Sequence, residues 1–146
     1  MNHPIRVLIA DDHAAIRRAL TVLLECESDI DVTGIAVNGV EAVKMAIALR
    51  PDVVVLDIRM PLLDGVAAGR EILAALPQTK LLMVSSEDGK AMIQQALDIG
   101  ASGYLAKHCS LMQVPSAIRQ IMDGNNYLCL ASTRALAATS ATVNAR

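Results

Sequence analysis

The chain has 146 residues, 53% of them hydrophobic and 19% charged, with a formal net charge of −2. That is enough apolar material for one core of ordinary domain size, and the absence of a Lys/Arg cluster argues against the basic face that nucleic-acid binders use. No run approaches the ~18 apolar residues of a membrane span, and the N-terminus lacks a basic, then apolar, then small-residue signal, so the expected location is cytoplasmic.

Short β-branched runs alternate with amphipathic stretches, as in βαβ units. The first run, Ile5 to Ala10, is followed by Ile16, Ala19, Leu20, Leu23 and Leu24, which share one helical face. Asp31 to Val37 reads as a second strand, and Val40, Val43 and Ile47 are expected on the buried face of a second helix. That helix must stop at Arg50-Pro51, because proline disfavours helical geometry in the residue before it. Asp52 to Leu56 is a third strand, with the unbroken hydrophobicity of one covered on both faces. Asp64-Gly65 opens a third helix that ends before Pro77, and Lys80 to Val84 is strand four. Ile93, Ala96, Leu97 and Gly100 mark helix four, Ser102 to Ala106 is strand five, and Val114, Ala117, Ile118, Ile121 and Met122 face inward from helix five. Pro115 falls where the first turns of helix five should run, so the helix either starts near Val114 or is kinked.

With two Tyr and neither Phe nor Trp, the core must be aliphatic. Cys26, Cys109 and Cys129 are odd in number and lack metal-type spacing, which reads as thiols in a reducing compartment. Residues 125–146 are expected to be a linker or C-terminal tail; within them the Ala-rich piece from Ala131 to Ala138 has the composition for a short helix.

Open α/β sheets bind ligands outside the carboxyl ends of their strands. Asp11 and Asp12 follow the first run, Asp57 follows the third and Lys107 follows the fifth, so parallel strands bring all four to one edge. Three carboxylates packed together repel unless a cation joins them. Magnesium suits the set, since it takes one or two carboxylates, keeps waters and accepts phosphate oxygens. Lys107 and Ser85, from the ends of strands five and four, supply a point charge and a hydroxyl suited to a phosphoryl group.

These residues resemble the receiver domain of two-component response regulators over roughly residues 4 to 124. The matching pieces are Asp11-Asp12, Asp57-Ile58-Arg59-Met60-Pro61-Leu62-Leu63-Asp64-Gly65, Ser85 and Gly100-Ala101-Ser102-Gly103-Tyr104-Leu105-Ala106-Lys107. The Asp11-Asp12-His13 opening further resembles the NarL/FixJ class, whose members usually carry a C-terminal helix-turn-helix for DNA. The resemblance implies a flavodoxin-like (βα)5 doubly wound parallel sheet, strand order 2-1-3-4-5, in a three-layer αβα sandwich. It implies a receiver domain over residues 1–124, followed by residues 125–146 as a linker or C-terminal tail that either ends the chain or leads to a helix-turn-helix domain; with no basic cluster, this chain alone is not expected to bind DNA. Asp57 would accept a phosphoryl group from a sensor histidine kinase. Asp12, Asp57 and the Arg59 backbone carbonyl would hold magnesium, Asp11 would support it through water, and Lys107 and Ser85 would bind the phosphate. Ser85 and Tyr104 would form the switch that changes the face of helix four, strand five and helix five, with homodimerisation the expected consequence. The resemblance implies a signalling domain, not an enzyme acting on other substrates. It departs from many receivers in placing His108, not proline, after Lys107.

Plainer readings exist for single residues. Asp12 and Asp64 suit helix caps, Lys107 a solvated strand end, Ser85 a turn, and Tyr104 a packing position in an edge strand. His13 has no second His or Cys at ligand spacing and reads as an exposed neighbour of the site, and His108-Cys109 as loop. A haloacid-dehalogenase-type phosphatase needs a second Asp two positions after the nucleophile, where this chain has Arg59, and a flavodoxin-like electron carrier needs a phosphate cradle after strand one. The remaining alternative is a phosphorylation-independent, receiver-like protein-interaction module.

Overall fold

A computed structural model describes residues 3–87, 89–129 and 132–137. Six parallel strands form one sheet in the order β2-β1-β3-β4-β5-β6. The strands are β1 (Ile5–Ala10), β2 (Ile30–Ala36), β3 (Val53–Leu56), β4 (Lys80–Ser85), β5 (Gly103–Ala106) and β6 (Tyr127–Leu128). Between them run α1 (Ala14–Glu25), α2 (Gly39–Leu49), α3 (Gly65–Ala75), α4 (Lys90–Asp98) and α5 (Val114–Met122).

Alternation along the strands divides the core into two layers. Val7, Ile9, Val53, Val55, Leu82, Val84 and Leu105 pack with Leu20 and Leu24 of α1 and with Val114, Ala117, Ile118 and Ile121 of α5. Leu8, Ala10, Val54, Leu56, Leu81, Met83 and Tyr104 face the other way, onto Ala42 and Ala46 of α2, Ile72 of α3, and Ile93 and Ala96 of α4. The outcome is the expected three-layer flavodoxin-like sandwich, with one strand more than the five expected. The sixth strand extends the sheet at its far edge, where Tyr127 and Leu128 pair with Gly103 and Tyr104. Residues 132–137 are helical, and Ala135 and Leu136 pack against the Tyr104 side of the core.

The buried face of α2 includes Val43, partly buried against the core as expected, but otherwise differs from the expected one. Gly39, Ala42 and Ala46 are buried, whereas Val40 and Ile47 are 37% and 47% exposed. The approach to the β3–α3 loop is too close for larger residues: a Cβ on Gly39 would stand 1.8 Å from the Leu63 carbonyl oxygen. Met122, expected to face inward, is likewise partly exposed at 38%. At the end of α2, Arg50 takes the left-handed conformation (φ 50°) that terminates the helix before Pro51. Pro115 resolves without a kink. A 3₁₀ turn over Leu111–Gln113 leads into α5 at Val114, so Pro115 lies in the first helical turn, where a backbone N–H has no partner in any case.

Candidate functional site

The backbone ladder runs one residue beyond three strands. The N–H of Asp11 donates to the Ala36 carbonyl (3.2 Å), that of Asp57 to Ala10 (2.9 Å) and that of Lys107 to Ser85 (2.7 Å). These residues are therefore fixed at the carboxyl edge by main-chain bonds. Asp11 and Asp57 leave neighbouring strands, β1 and β3, at the point where the strand order reverses and a crevice opens.

The side chains converge there. Lys107 Nζ lies 2.9 Å from Asp11 Oδ2 and 3.3 Å from Asp57 Oδ2, with both carboxylates almost wholly buried. Asp57 Oδ1 accepts the Ile58 N–H at 2.8 Å. Its Oδ2 accepts no hydrogen bond, the Lys107 contact being an ion pair without hydrogen-bond alignment. Asp12 is more open, and it is not a helix cap: the residue at the start of α1 is His13, whose side chain caps nothing. Instead the His13 Nδ1 stands 3.2 Å from Asp11 Oδ1, 3.1 Å from Asp12 Oδ1 and 3.9 Å from Asp57 Oδ2. Ligating atoms of Asp11, Asp12, His13 and Asp57 all lie within 4.8 Å of one another.

Burial, with the Asp11 charge adding to it, pushes the Asp57 carboxyl up to about 6, against the pull of Lys107. A raised folded-state pKa means stability that is complete below the ordinary value of 3.8 and lost as pH climbs through 6. In chelator, Asp57→Asn is expected to be more stable than the parent by on the order of 1–2 kcal/mol at pH 8, with the gap closing by about pH 4. Urea unfolding across that range measures it, and equal stabilities at pH 8 would sink the argument.

Ser85 and Tyr104 lie beside this centre but engage a different partner. Ser85 is fully buried and its Oγ accepts the Glu87 N–H at 3.0 Å. Tyr104 is fully buried in β5, which β6 covers, and its hydroxyl donates to the Glu87 carbonyl. The Glu87 carboxylate takes the Arg59 guanidinium at 2.9 Å. Glu87 thus links the loop after Asp57 to both residues expected to switch. Sequence reasoning missed it, because nothing in the chain pattern marks a loop residue whose partners come from three other segments.

The β3–α3 loop is held under tension. The Leu63 N–H bonds the Pro61 carbonyl at 2.8 Å around Leu62, whose φ is 71°. This is the γ-turn hand that L-residues rarely adopt. Asp64 caps α3, accepting the Ala67 N–H at 2.9 Å.

A family model described as the response regulator receiver domain matches residues 7–119. The chain is 39% identical over 124 residues to the transcriptional regulatory protein LnrK of Bacillus subtilis (strain 168), covering 85% of this chain and 56% of that protein. It is 48% identical over 105 residues to a protein-glutamate methylesterase/protein-glutamine glutaminase of Vibrio parahaemolyticus serotype O3:K6, covering 70% of this chain and 28% of that protein. It spans, then, about half the length of the first and about a quarter of the second. A crystal structure of a LuxR-family two-component response regulator from Aurantimonas sp. SI85-9A1 superposes with a TM-score of 0.90 at 26% identity, covering 94% of this chain and 99% of that one.

Proposed function

Because the chain belongs to the response regulator receiver domain family, we propose that Asp57 accepts a phosphoryl group from the phosphohistidine of a sensor kinase. The observation that carries this is Asp57 Oδ2: a buried carboxylate oxygen with no hydrogen bond, beside a lysine and in a cluster of acidic side chains. In the transfer, Oδ2 bonds to phosphorus as the phosphorus–nitrogen bond of the donor breaks. A loose transition state of this type needs positioning and charge neutralisation more than acid–base groups. Ile58 N–H fixes the Asp57 carboxylate through Oδ1, and Lys107 offers its ammonium to the incoming oxygens.

Three carboxylates with an unsatisfied buried oxygen among them fit a hard divalent cation, although the His13 nitrogen also lies in the cluster. Asp12, Asp57 and the Arg59 carbonyl would hold magnesium, with Asp11 in support, and the ion would neutralise charge on the phosphoryl oxygens. Phosphorylation adds roughly −1.5 to −2 charge and three acceptor oxygens beside Ser85 and Lys107. In this reading Ser85 leaves Glu87 to bond the new group, Tyr104 repositions, and the face of α4, β5 and α5 favours homodimerisation. The domain would itself catalyse no reaction on other substrates. Its likeness to a LuxR-family regulator and to LnrK supports a NarL/FixJ-class parent that acts on transcription through a separate DNA-binding domain, with residues 125–146 leading toward it.

Intact mass after incubation with acetyl phosphate tests the central claim. One phosphoryl group is expected on the parent with magnesium, and none on Asp57→Ala or in chelator. A parent that stays unmodified although folded and magnesium-bound would favour the interaction module that works without phosphorylation.

A further inference from the structure

Two of the three cysteines lie together, outside the acidic cluster. Cys109 follows Lys107 by two residues in the loop after β5, and Cys129 directly follows β6. Their Sγ atoms are 3.2 Å apart, with the Cys109 thiol donating to the Cys129 sulfur. Cys129 is 2% exposed, and its sulfur also meets the Ser132 hydroxyl at 3.2 Å and the Ala106 N–H at 3.5 Å. Cys109 is more open than Cys129, and Cys26 is exposed at the C-cap of α1.

We propose that Cys109 and Cys129 are a reversible dithiol–disulfide pair that, when oxidised by a hydroperoxide, latches the Lys107 loop to the segment running on from β6. The chemistry follows from the unequal exposure. The accessible Cys109 sulfur attacks the peroxide, the oxygen–oxygen bond breaks, and a sulfenic acid forms as the alcohol or water leaves. The Cys129 sulfur then attacks Cys109; the sulfur–oxygen bond breaks and the oxygen departs as water. In sum two thiols lose two hydrogens and the peroxide is reduced to an alcohol and water, or to two waters from hydrogen peroxide.

Cys129 is suited to the second step. Burial raises its thiol, but hydrogen bonds with Ser132, the Ala106 N–H and Cys109 outweigh burial and bring it below its ordinary value. Chain geometry alone would not favour the bond, since 20 residues separate the two sulfurs in sequence. The fold does, by laying β6 beside β5. Disulfides of reducing compartments are typically transient and redox-sensing, which is the behaviour expected of a pair that one reductant reopens.

The test uses the full chain with Cys26→Ser, so that the exposed thiol cannot form dimers. Treatment with hydrogen peroxide is expected to remove two hydrogens from the intact mass. Trypsin should then release one cross-linked species joining residues 108–119 to residues 120–134, which dithiothreitol separates. Formation in buffer should be roughly tenfold faster than in urea, where the fold no longer aligns the sulfurs. Amide exchange of residues 127–129 should slow by roughly tenfold on oxidation, since local opening is then tethered. Sulfinic or sulfonic acids without the linked peptides, or a linkage that forms as quickly in urea, would overturn the proposal.

Discussion

Lys107→Met is expected to cost about 3 kcal/mol of stability at pH 8 in chelator, because it leaves two buried carboxylates facing one another without their cation. Methionine keeps most of the lysine stem's volume, so the loss reports charge and not a cavity. Lys107 is the group that holds the Asp57 carboxyl down against burial and Asp11, and without it the folded-state pKa climbs further above about 6. The sign follows: stability is retained in acid and falls as pH rises through that higher value, so the deficit should shrink below about 1 kcal/mol at pH 5. Adding Asp57→Asn should recover much of the loss at pH 8, a coupling that a double-mutant cycle reads directly. Millimolar magnesium should recover part of it too, since a cation that binds the folded state alone stabilises by mass action. A deficit that is flat with pH would show that Lys107 contributes packing and no charge.

Gly65→Ala should damage the site severely. The added Cβ would stand 1.9 Å from the Asp57 carbonyl oxygen and 2.7 Å from the Ile58 Cα, both backbone atoms that no rotamer change can clear. The Gly65 N–H is also committed to the Ile58 carbonyl at 2.7 Å, so α3 cannot simply slide away. The expected cost is about 3 kcal/mol, at the upper end for overpacking. Phosphorylation by acetyl phosphate should slow by roughly 100-fold in whatever fraction folds, as displacements near 1 Å at a reacting group do. Gly89→Ala is the control: a Cβ there meets nothing within 4 Å, and both stability and rate should be nearly unchanged. Equal behaviour of the two variants in urea unfolding would refute the packing argument.

The geometric core of the site was legible because it depends on strand ends. Once Ile5 to Ala10, Val53 to Leu56 and Gly103 to Ala106 are parallel strands of one sheet, Asp11, Asp57 and Lys107 have no choice but to meet. What stayed hidden depends on tertiary approach. β6 has two residues, too few for any periodicity, and exists because β5 offers it an edge. On α2 hydrophobicity points to Val40 and Ile47 beside Val43, whereas the buried positions are Gly39, Ala42 and Ala46, and at Gly39 the approach to Leu63 leaves no room for a side chain. His13 was placed beside the site but not within it, since its sequence neighbours do not reveal that the imidazole turns back over the carboxylates. The proximity of Cys109 to Cys129 was invisible for the same reason as β6.

The parallel pairing of β6 with β5 also has a mechanical meaning. Gly103 and Tyr104 are joined rung by rung to Tyr127 and Leu128, so tension on the chain beyond residue 129, directed along the strand, loads this ladder in shear and pulls on the strand that holds Tyr104. A displacement of Leu128 is thus felt at Tyr104 directly, through main-chain bonds and not through side-chain packing alone.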